Sequence, residues 1–460
     1  MEWSVDEERR ILKKIDSTVL PILCFVFFFQ YLDKQSLSYT AVFGLRTDLN
    51  LTSSQYSWCT SLFYFGQLVS EYLAVYLMSR LPLIRVVGIS IIVWGGVCMC
   101  LAAPHNFSGF GAVRFLLGFT EAAIQPAAVT ITSIWYRKEE HPRRVGIWVS
   151  MNALAQTIGA IMMYGIGKNS GLSVAPWRCM FLVCGGCTIA AGMLFLLVLP
   201  SGPDNAWFLT MRERAIIKQR MMVHREGGDQ VTFSIPQLKE AMLDPKTWLV
   251  GSFGFLVTMS GPVIIFASLV ISDIGYDKYE TMLYSSPSGA VQFFFIWLGI
   301  AGCALMPNHR AVVIIALTIV PLVGSILLLV LDMSAGWGII IASWLASSIS
   351  CIMSIVLSLS ASNVKGNTKR SVVNTVFFIG YCVGAIVGPQ LWTEPPRYTK
   401  GLITSIVLWA VFMVFIAVYW AVCYFDNVSR DLKAQGDPQA HEHGVEDITD
   451  REDLLFRYMY

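Results

Sequence analysis

Apolar residues come in long unbroken runs along this chain, separated by short polar segments and one long one. Twelve runs are about twenty residues each, at approximately 19–39, 57–78, 83–103, 109–135, 145–167 and 178–199, then 247–272, 283–305, 310–331, 337–360, 372–393 and 402–425. A helix of that length crosses about 30 Å of hydrocarbon. A bilayer offers no water to an open backbone, so helices are the predicted form for all twelve. The polar stretches then divide the chain into an N-terminal segment (1–18), a first six-helix bundle (19–199), a central loop (200–246), a second six-helix bundle (247–425) and a tail (426–460). The expected fold class is an all-α integral membrane protein, with twelve transmembrane helices in two pseudo-symmetric six-helix bundles.

The polar segments refine this. Residues 1–18 mix Glu7, Glu8, Arg9, Arg10, Lys13 and Lys14 and suit a short amphipathic segment on the membrane surface. They show no cleavable signal peptide. The central loop contains an amphipathic, charge-laced stretch from Asp204 to Glu226 and a second short helix near Pro236–Leu243. The tail carries nine acidic and four basic residues without periodicity and is expected to be disordered.

Charge settles orientation. With a cytoplasmic N-terminus, 25 Lys and Arg fall in inside segments and five in outside loops. The positive-inside rule then makes both termini cytoplasmic. Asn50-Leu-Thr and Asn106-Phe-Ser are glycosylation sequons, and both fall in outside loops.

Composition agrees and excludes other classes. The chain is 55% hydrophobic and 14% charged, where soluble domains carry about 25% charged residues. A net charge of +2 gives no reason to expect nucleic acid. The eleven cysteines lie mostly inside apolar runs (Cys24, Cys98, Cys100, Cys351, Cys423) and read as small buried hydrophobes, Cys184-Gly-Gly-Cys187 included. No phosphate-binding Gly-Lys-Ser/Thr loop and no His-Glu-x-x-His run occurs, so neither an enzyme, an ATP-driven pump nor a metal site is expected.

The informative residues are charges inside spans. A charge at the bilayer centre costs roughly 2.5–3.5 kcal/mol on insertion scales. The fourth span holds two, Arg114 and Glu121. Seven residues separate them, so they share nearly one helical face about 10 Å apart along the axis. The first span holds Asp33 and Lys34, and the second holds Glu71. The second half has no interior charge of this kind and offers Asn374, Tyr381 and Gln390 in its fifth span as polar contacts. Gly380, Gly384 and Gly388 recur every four residues, either for close helix contact or as a flexible gate. Two readings remain open for the charges: structural ion pairs, or a wet cavity in which a cation holds an anion and a carboxylate exchanges a proton. In the second, an incoming anion takes over the cation, the freed carboxylate is neutralised by a proton, and the two binding events reinforce each other.

Several segments carry a resemblance: YLDKQSLSYTAVFGL (31–45), QYSWCTSLFYFG (55–66), VRFLLGFTEAAIQPA (113–127), ITSIWYRKEE (131–140), GIWVSMNALAQTIG (146–159), APWR (175–178), DPKTW (244–248), SPSGAVQ (286–292), VVNTVFFIGYCVGAIVGPQ (372–390) and PPRYTKG (395–401). In order and spacing the chain resembles the major facilitator superfamily, and within it fungal anion:cation symporters of the allantoate permease type, over roughly residues 10–430. The resemblance implies the major facilitator fold, alternating access, and uptake of a small carboxylate or related nitrogenous metabolite with protons. It also implies coupling and anion-binding roles for Asp33, Lys34, Arg114 and Glu121, and a substrate contact for Asn374. Two segments depart from the family pattern. Leu73-Ala74-Val75 replaces a Pro-Thr/Ser-Asn triplet after Glu71, and Gly384-Ala385 replaces Gly-Asn. The loop after the second span keeps only Arg80 and Arg85 of the usual Asp-Arg-x-Gly-Arg pattern.

The resulting expectation is a monomeric plasma-membrane symporter of a small organic anion, driven by the proton gradient and without a cofactor. Lys34 and Arg114 hold the anion, with Asn374, Tyr381 and Gln390 as further contacts. Asp33 and Glu121 carry the proton, and Glu71 and the helix glycines are structural or gating. The alternatives are export of a secondary metabolite by proton antiport, and a non-transporting nutrient sensor.

Overall fold

A computed structural model describes residues 3–137, 140–169, 171–222, 234–306, 308–434, 448–453 and 456–460. The first bundle comprises α1 (Val5–Asp48), α2 (Ser53–Arg80), α3 (Leu83–Cys100), α4 (Phe107–Trp135), α5 (Arg143–Lys168) and α6 (Pro176–Val198). Two short helices follow, α7 (Met211–Met222) and α8 (Ile235–Leu243). The second bundle comprises α9 (Pro245–Asp273), α10 (Lys278–Leu305), α11 (Arg310–Val330), α12 (Trp337–Ser362), α13 (Asn367–Leu391) and α14 (Thr399–Ala434). Eleven of these are long and apolar enough on their own to cross a membrane among the described residues. The twelfth, α2, is 28 residues long and is made more polar by Gln67, Ser70, Glu71 and its tyrosines. Its place in the fold comes from packing against α4 and α13.

Local chemistry explains where the helices start and break. Ser4 caps α1 by accepting from the Glu7 backbone N–H at 3.1 Å, and Asp6, Glu7 and Glu8 suit the positive end of the helix dipole. The helix is continuous from Val5, because Ile11, Ile15 and Val19 bury themselves on one face. The separate surface segment expected over 1–18 is therefore the first four turns of α1. Gly44, with φ of +99°, ends the regular stretch. Pro126 has no N–H to give to the carbonyl four residues back, and α4 breaks at Ala122–Ala123, directly after Glu121. Pro262 and Pro287 sit at the corresponding breaks of α9 and α10.

An even number of spans puts both termini, α7 and α8 on one face, called here the terminal face. Each bundle carries its own charge latch there. In the first, Lys14 meets Glu213 at 2.7 Å, and Arg144 meets Asp16 at 2.8 Å. Arg220 of α7 reaches Glu8 at 2.7 Å and Glu140 at 2.6 Å. In the second, buried Lys369 meets Glu240 of α8 at 2.8 Å, Asp244 at 3.0 Å and Asp450 at 2.9 Å.

Asp450 belongs to the tail, which differs from expectation. α14 continues to Ala434, and residues 448–453 and 456–460 are packed in place. Tyr458 donates to Asp450 at 2.6 Å, and Arg430 donates to the Asp450 carbonyl at 2.6 Å. Asn363 brackets Met459 with two backbone bonds at 2.6 and 2.7 Å. The acidic residues 448–453 are held here by buried Lys369 of α13 and by Arg430 of α14. Residues 435–447, and 223–233 of the central loop, lie outside the described residues.

The bundles meet along two seams, α5 with α10 and α2 with α13. Bonds across the interface concentrate away from the terminal face. Ser38 donates to the Ile265 carbonyl at 2.5 Å, Ser61 to the Ile386 carbonyl at 2.6 Å, and Tyr279 to the Gly167 carbonyl at 3.1 Å. Beyond Tyr64 and Tyr381 towards the terminal face, α2 and α13 expose Tyr72, Asn374 and Thr375. No ion pair joins the two latches among the described residues. The interface is thus hydrogen-bonded at the far face; at the terminal face its α2–α13 side is open, while α5 and α10 still touch there, Gly146 against Ile300.

The second latch makes a prediction. Burial would raise the Asp244 carboxyl, but Lys246 and Lys369 beside it hold it below the usual carboxylate range. A carboxyl lowered in the folded state adds stability above its unfolded value of about 4. That stability is lost as pH falls through the lower folded value. Lys369→Ala removes the cation shared by Asp244 and Asp450, leaving Asp244 with Lys246 at 3.8 Å, and is expected to cost about 3 kcal/mol. Thermal melts of purified protein should show a lower Tm for the variant at pH 7, and a gap from wild type that narrows as the pH is taken below 4.

Candidate functional site

The site begins with two glycines. A Cβ on Gly118 would lie 1.8 Å from the Phe63 carbonyl oxygen, and one on Gly66 would lie 2.0 Å from that of Phe115. α2 and α4 therefore touch backbone to backbone, as small residues permit in membranes. This contact brings Phe63 and Tyr64 of α2 up to the charged face of α4.

Glu121 of α4, fully buried, pairs with Lys34 of α1 at 2.9 Å. The Lys34 side chain is 15% exposed, and its ammonium lies 5.6 Å from the centre of the Phe63 ring. Glu71 of α2 lies in the field of the same lysine, and one of its carboxylate oxygens has no hydrogen-bond partner. Tyr64 and Tyr381 close over this group across the bundle interface, with ring centroids 6.0 Å apart at 71°. Tyr31, one turn from Lys34, lies near Gln292 of α10 and Ser350 of α12. Gln292 itself donates to Ser350.

Asp33 points elsewhere, because consecutive helical residues are about 100° apart. It is fully buried, accepts from Thr188 of α6 at 3.3 Å, and keeps one oxygen unpartnered. Its neighbours include Glu121, Cys98 and Arg114. Arg114 is 2% exposed, lies 5.7 Å from the centre of the Phe110 ring and 6.0 Å from that of Phe181, and has two nitrogens without partners. No carboxylate lies within ion-pair distance of Arg114 among the described residues. The four expected charges therefore form one ion pair, Lys34–Glu121 at the bundle interface, and a looser couple, Asp33 near Arg114 inside the first bundle, whose fields both reach Glu121.

The remaining sequence candidates sort by position. Tyr381 belongs to the site. Asn374 is exposed seven residues earlier, on the same face of α13 and nearer the open end. Gln390 donates to Ser61 at 2.8 Å in the closed seam, away from Lys34. Gly380 and Gly384 seat α13 on α9, where added Cβ atoms would lie 2.1 Å from the Gly251 oxygen and 2.4 Å from the Phe255 oxygen; Gly388 packs the same way. Asn50 and Asn106 are exposed, and the Asn106 side chain caps α4 by accepting from Gly109 at 2.8 Å. Sequence reasoning missed Tyr31, Tyr64, Gln292 and Ser350. Gln292 had a visible signal, as an amide inside an apolar run. A groove between α2 and α4, lined by Leu62, Gly111, Phe115 and Leu116, is apolar and touches none of the charged side chains.

The Major Facilitator Superfamily model matches residues 23–389. The chain is 34% identical over 467 residues to an uncharacterized transporter of Schizosaccharomyces pombe, covering 99% of this chain and 90% of that one. It is 31% identical over 481 residues to the allantoate permease of Saccharomyces cerevisiae, covering 100% and 88%. Among solved structures, a bacterial homologue of the human lysosomal transporter Spinster, inward-facing and unoccupied, aligns with a TM-score of 0.62 at 16% identity, covering 91% of this chain and 97% of that one.

The glycine contact can be tested alone. Gly118→Val must push α2 off α4 and with it the Phe63–Tyr64 wall of the site. Overpacking of this kind costs about 1–3 kcal/mol. A melt should show the lower Tm, and Gly96→Val, at a glycine with open space around it, should not.

Proposed function

We propose that this chain, which belongs to the Major Facilitator Superfamily, carries a small organic anion across the membrane together with a proton. The observation behind this reading is the 2.9 Å Lys34–Glu121 pair, in which the cation is the partly exposed member. An anion entering from the terminal face meets Lys34 first and takes its ammonium from Glu121. A buried carboxylate left without its cation is neutralised most simply by a proton. Lysine, monovalent anion and protonated Glu121 together carry the same net charge as the empty pair. The transported unit is then one proton per monovalent anion, and each ligand strengthens binding of the other.

Asp33 and Arg114 form the second couple. Arg114 lies behind α1, so the expectation that it grips the anion directly gives way to a supporting role: it balances Asp33, the second carboxylate able to exchange a proton. Asn374 and Tyr381 serve the open end of the path. Glu71 shares the field of Lys34 and senses its loss to the anion. The excess of Lys and Arg on the terminal side supports a cytoplasmic terminal face, and the reading places the protein in the plasma membrane. The open terminal face also suits loading from the cytoplasm, as an exporter requires. Vesicles of defined orientation with an imposed pH gradient separate uptake from export.

The similarity to an allantoate permease makes allantoate the first anion to test. In proteoliposomes, Lys34→Ala should lower uptake by roughly 30-fold or more. Glu121→Gln, neutral at every pH, should retain exchange of substrate across the membrane while losing its pH dependence. Unchanged uptake and pH dependence in Lys34→Ala would sink the site assignment.

A further inference from the structure

A small cavity lies between the bundles, next to the charged centre on its closed side. α1 contributes Gln35 and Tyr39, α5 contributes Gln156, and α9, α10 and α12 contribute Ser268, Ser288 and Ser343, among others. No charged residue lines it, and it has room for about one water-sized group. It adjoins the site through its lining residue Gln35, which directly follows Lys34 in α1.

Its hydrogen bonding is lopsided. Ser288 spends its hydroxyl hydrogen on the Ser285 carbonyl at 2.6 Å. Its oxygen must then accept from Gln156, whose amide nitrogen lies 2.8 Å away. This fixes which way the Gln156 amide points and leaves its carbonyl oxygen without a partner, on a residue 4% exposed. Tyr39 donates to the Gln156 backbone carbonyl at 2.7 Å, and Ser343 to the Ile340 carbonyl at 2.7 Å, so neither hydroxyl is available to that oxygen. An unpaired buried acceptor is costly and wants a donor.

We propose that this cavity is a specificity subsite: it receives an uncharged hydrogen-bond donor, a terminal amide or hydroxyl group, at the far end of the anion whose charged end is held by Lys34, and the side-chain carbonyl of Gln156 accepts from it. The proposal rests on the anion-binding reading above and adds what the rest of the anion must be. It also gives the subsite a mechanical role. The Gln156–Ser288 bond spans the two bundles, so a donor seated there touches both and is held only while the far face is closed. Opening that face dismantles the subsite and releases the donor end.

The test uses the full-length purified protein and equilibrium binding at constant pH. The probes are succinamate and 4-hydroxybutyrate, which end in an amide and a hydroxyl, against monomethyl succinate and butyrate, which offer no donor. Wild type should prefer the donor-bearing member of each pair by roughly tenfold. Gln156→Met should bring both ratios towards one, whereas Gln156→Glu, which keeps an acceptor oxygen, should preserve a preference. A preference for only one pair names the donor as amide or hydroxyl. Ratios near one in wild type, or unchanged in Gln156→Met, mean that the cavity holds a structural water only and overturn the proposal. If Gln156→Met does not fold, the wild-type ratios decide. Lys34→Ala keeps the two ideas apart. Binding that survives in it contradicts the anion site itself, while Lys34-dependent binding without donor preference contradicts the subsite alone. Failure of all four probes to bind overturns both.

Discussion

Everything in this structure turns on holding Lys34 and Glu121 together where water is scarce. Two opposite charges about 4 Å apart attract by about 4 kcal/mol at an effective dielectric of 20. Removing each from water costs several kcal/mol. The pair is therefore close to break-even: stable enough to keep both groups charged, weak enough for another anion to replace one member. A strongly favourable pair would trap the carrier, and an unpaired charge would not be tolerated in the fold.

The fold supplies what that balance requires. Backbone contact at Gly66 and Gly118 brings the aromatic wall of α2 against α4, so the pair is shielded from lipid on that side. The break in α4 directly after Glu121 lets the remainder of that span take its own direction. Tyr64–Tyr381 and the Tyr31–Gln292–Ser350 group bring the second bundle up to the charges with neutral partners only. Each bundle's charge latch ties α7 or α8 to its own half, which leaves the halves free of ion pairs to one another at the terminal face among the described residues. Such an interface can rock without breaking a buried ion pair at the open end.

Much of this was legible in the sequence. Span number and halving follow from runs of apolar residues, and Asp33, Lys34, Arg114 and Glu121 stand out as candidates by their cost in hydrocarbon. Their pairing was not legible. Arg114 and Glu121 share a face of α4, which suggests common duty, yet Lys34 takes Glu121 while Arg114 is left near Asp33. Periodicity gives the angle between side chains of one helix but not the rotation of that helix against its neighbours. The same limit applies to Gln390, which its polarity inside a span suggests as a substrate contact and the packing places in the closed seam. The tail shows another limit. Residues 448–453 and 456–460 have no apolar period, and their packing comes from Lys369 and Asn363, far away in the chain, and from Arg430 of α14.

The central claim is an exchange of partners, with the anion taking Lys34 and a proton taking Glu121. Infrared difference spectroscopy of the purified protein, with and without the transported anion, reads this directly through the carbonyl stretch of a protonated carboxylic acid. The account predicts that the band appears on anion binding in the wild type and is missing in Glu121→Gln. An anion that binds without raising that band, or raises it equally in Glu121→Gln, would contradict it.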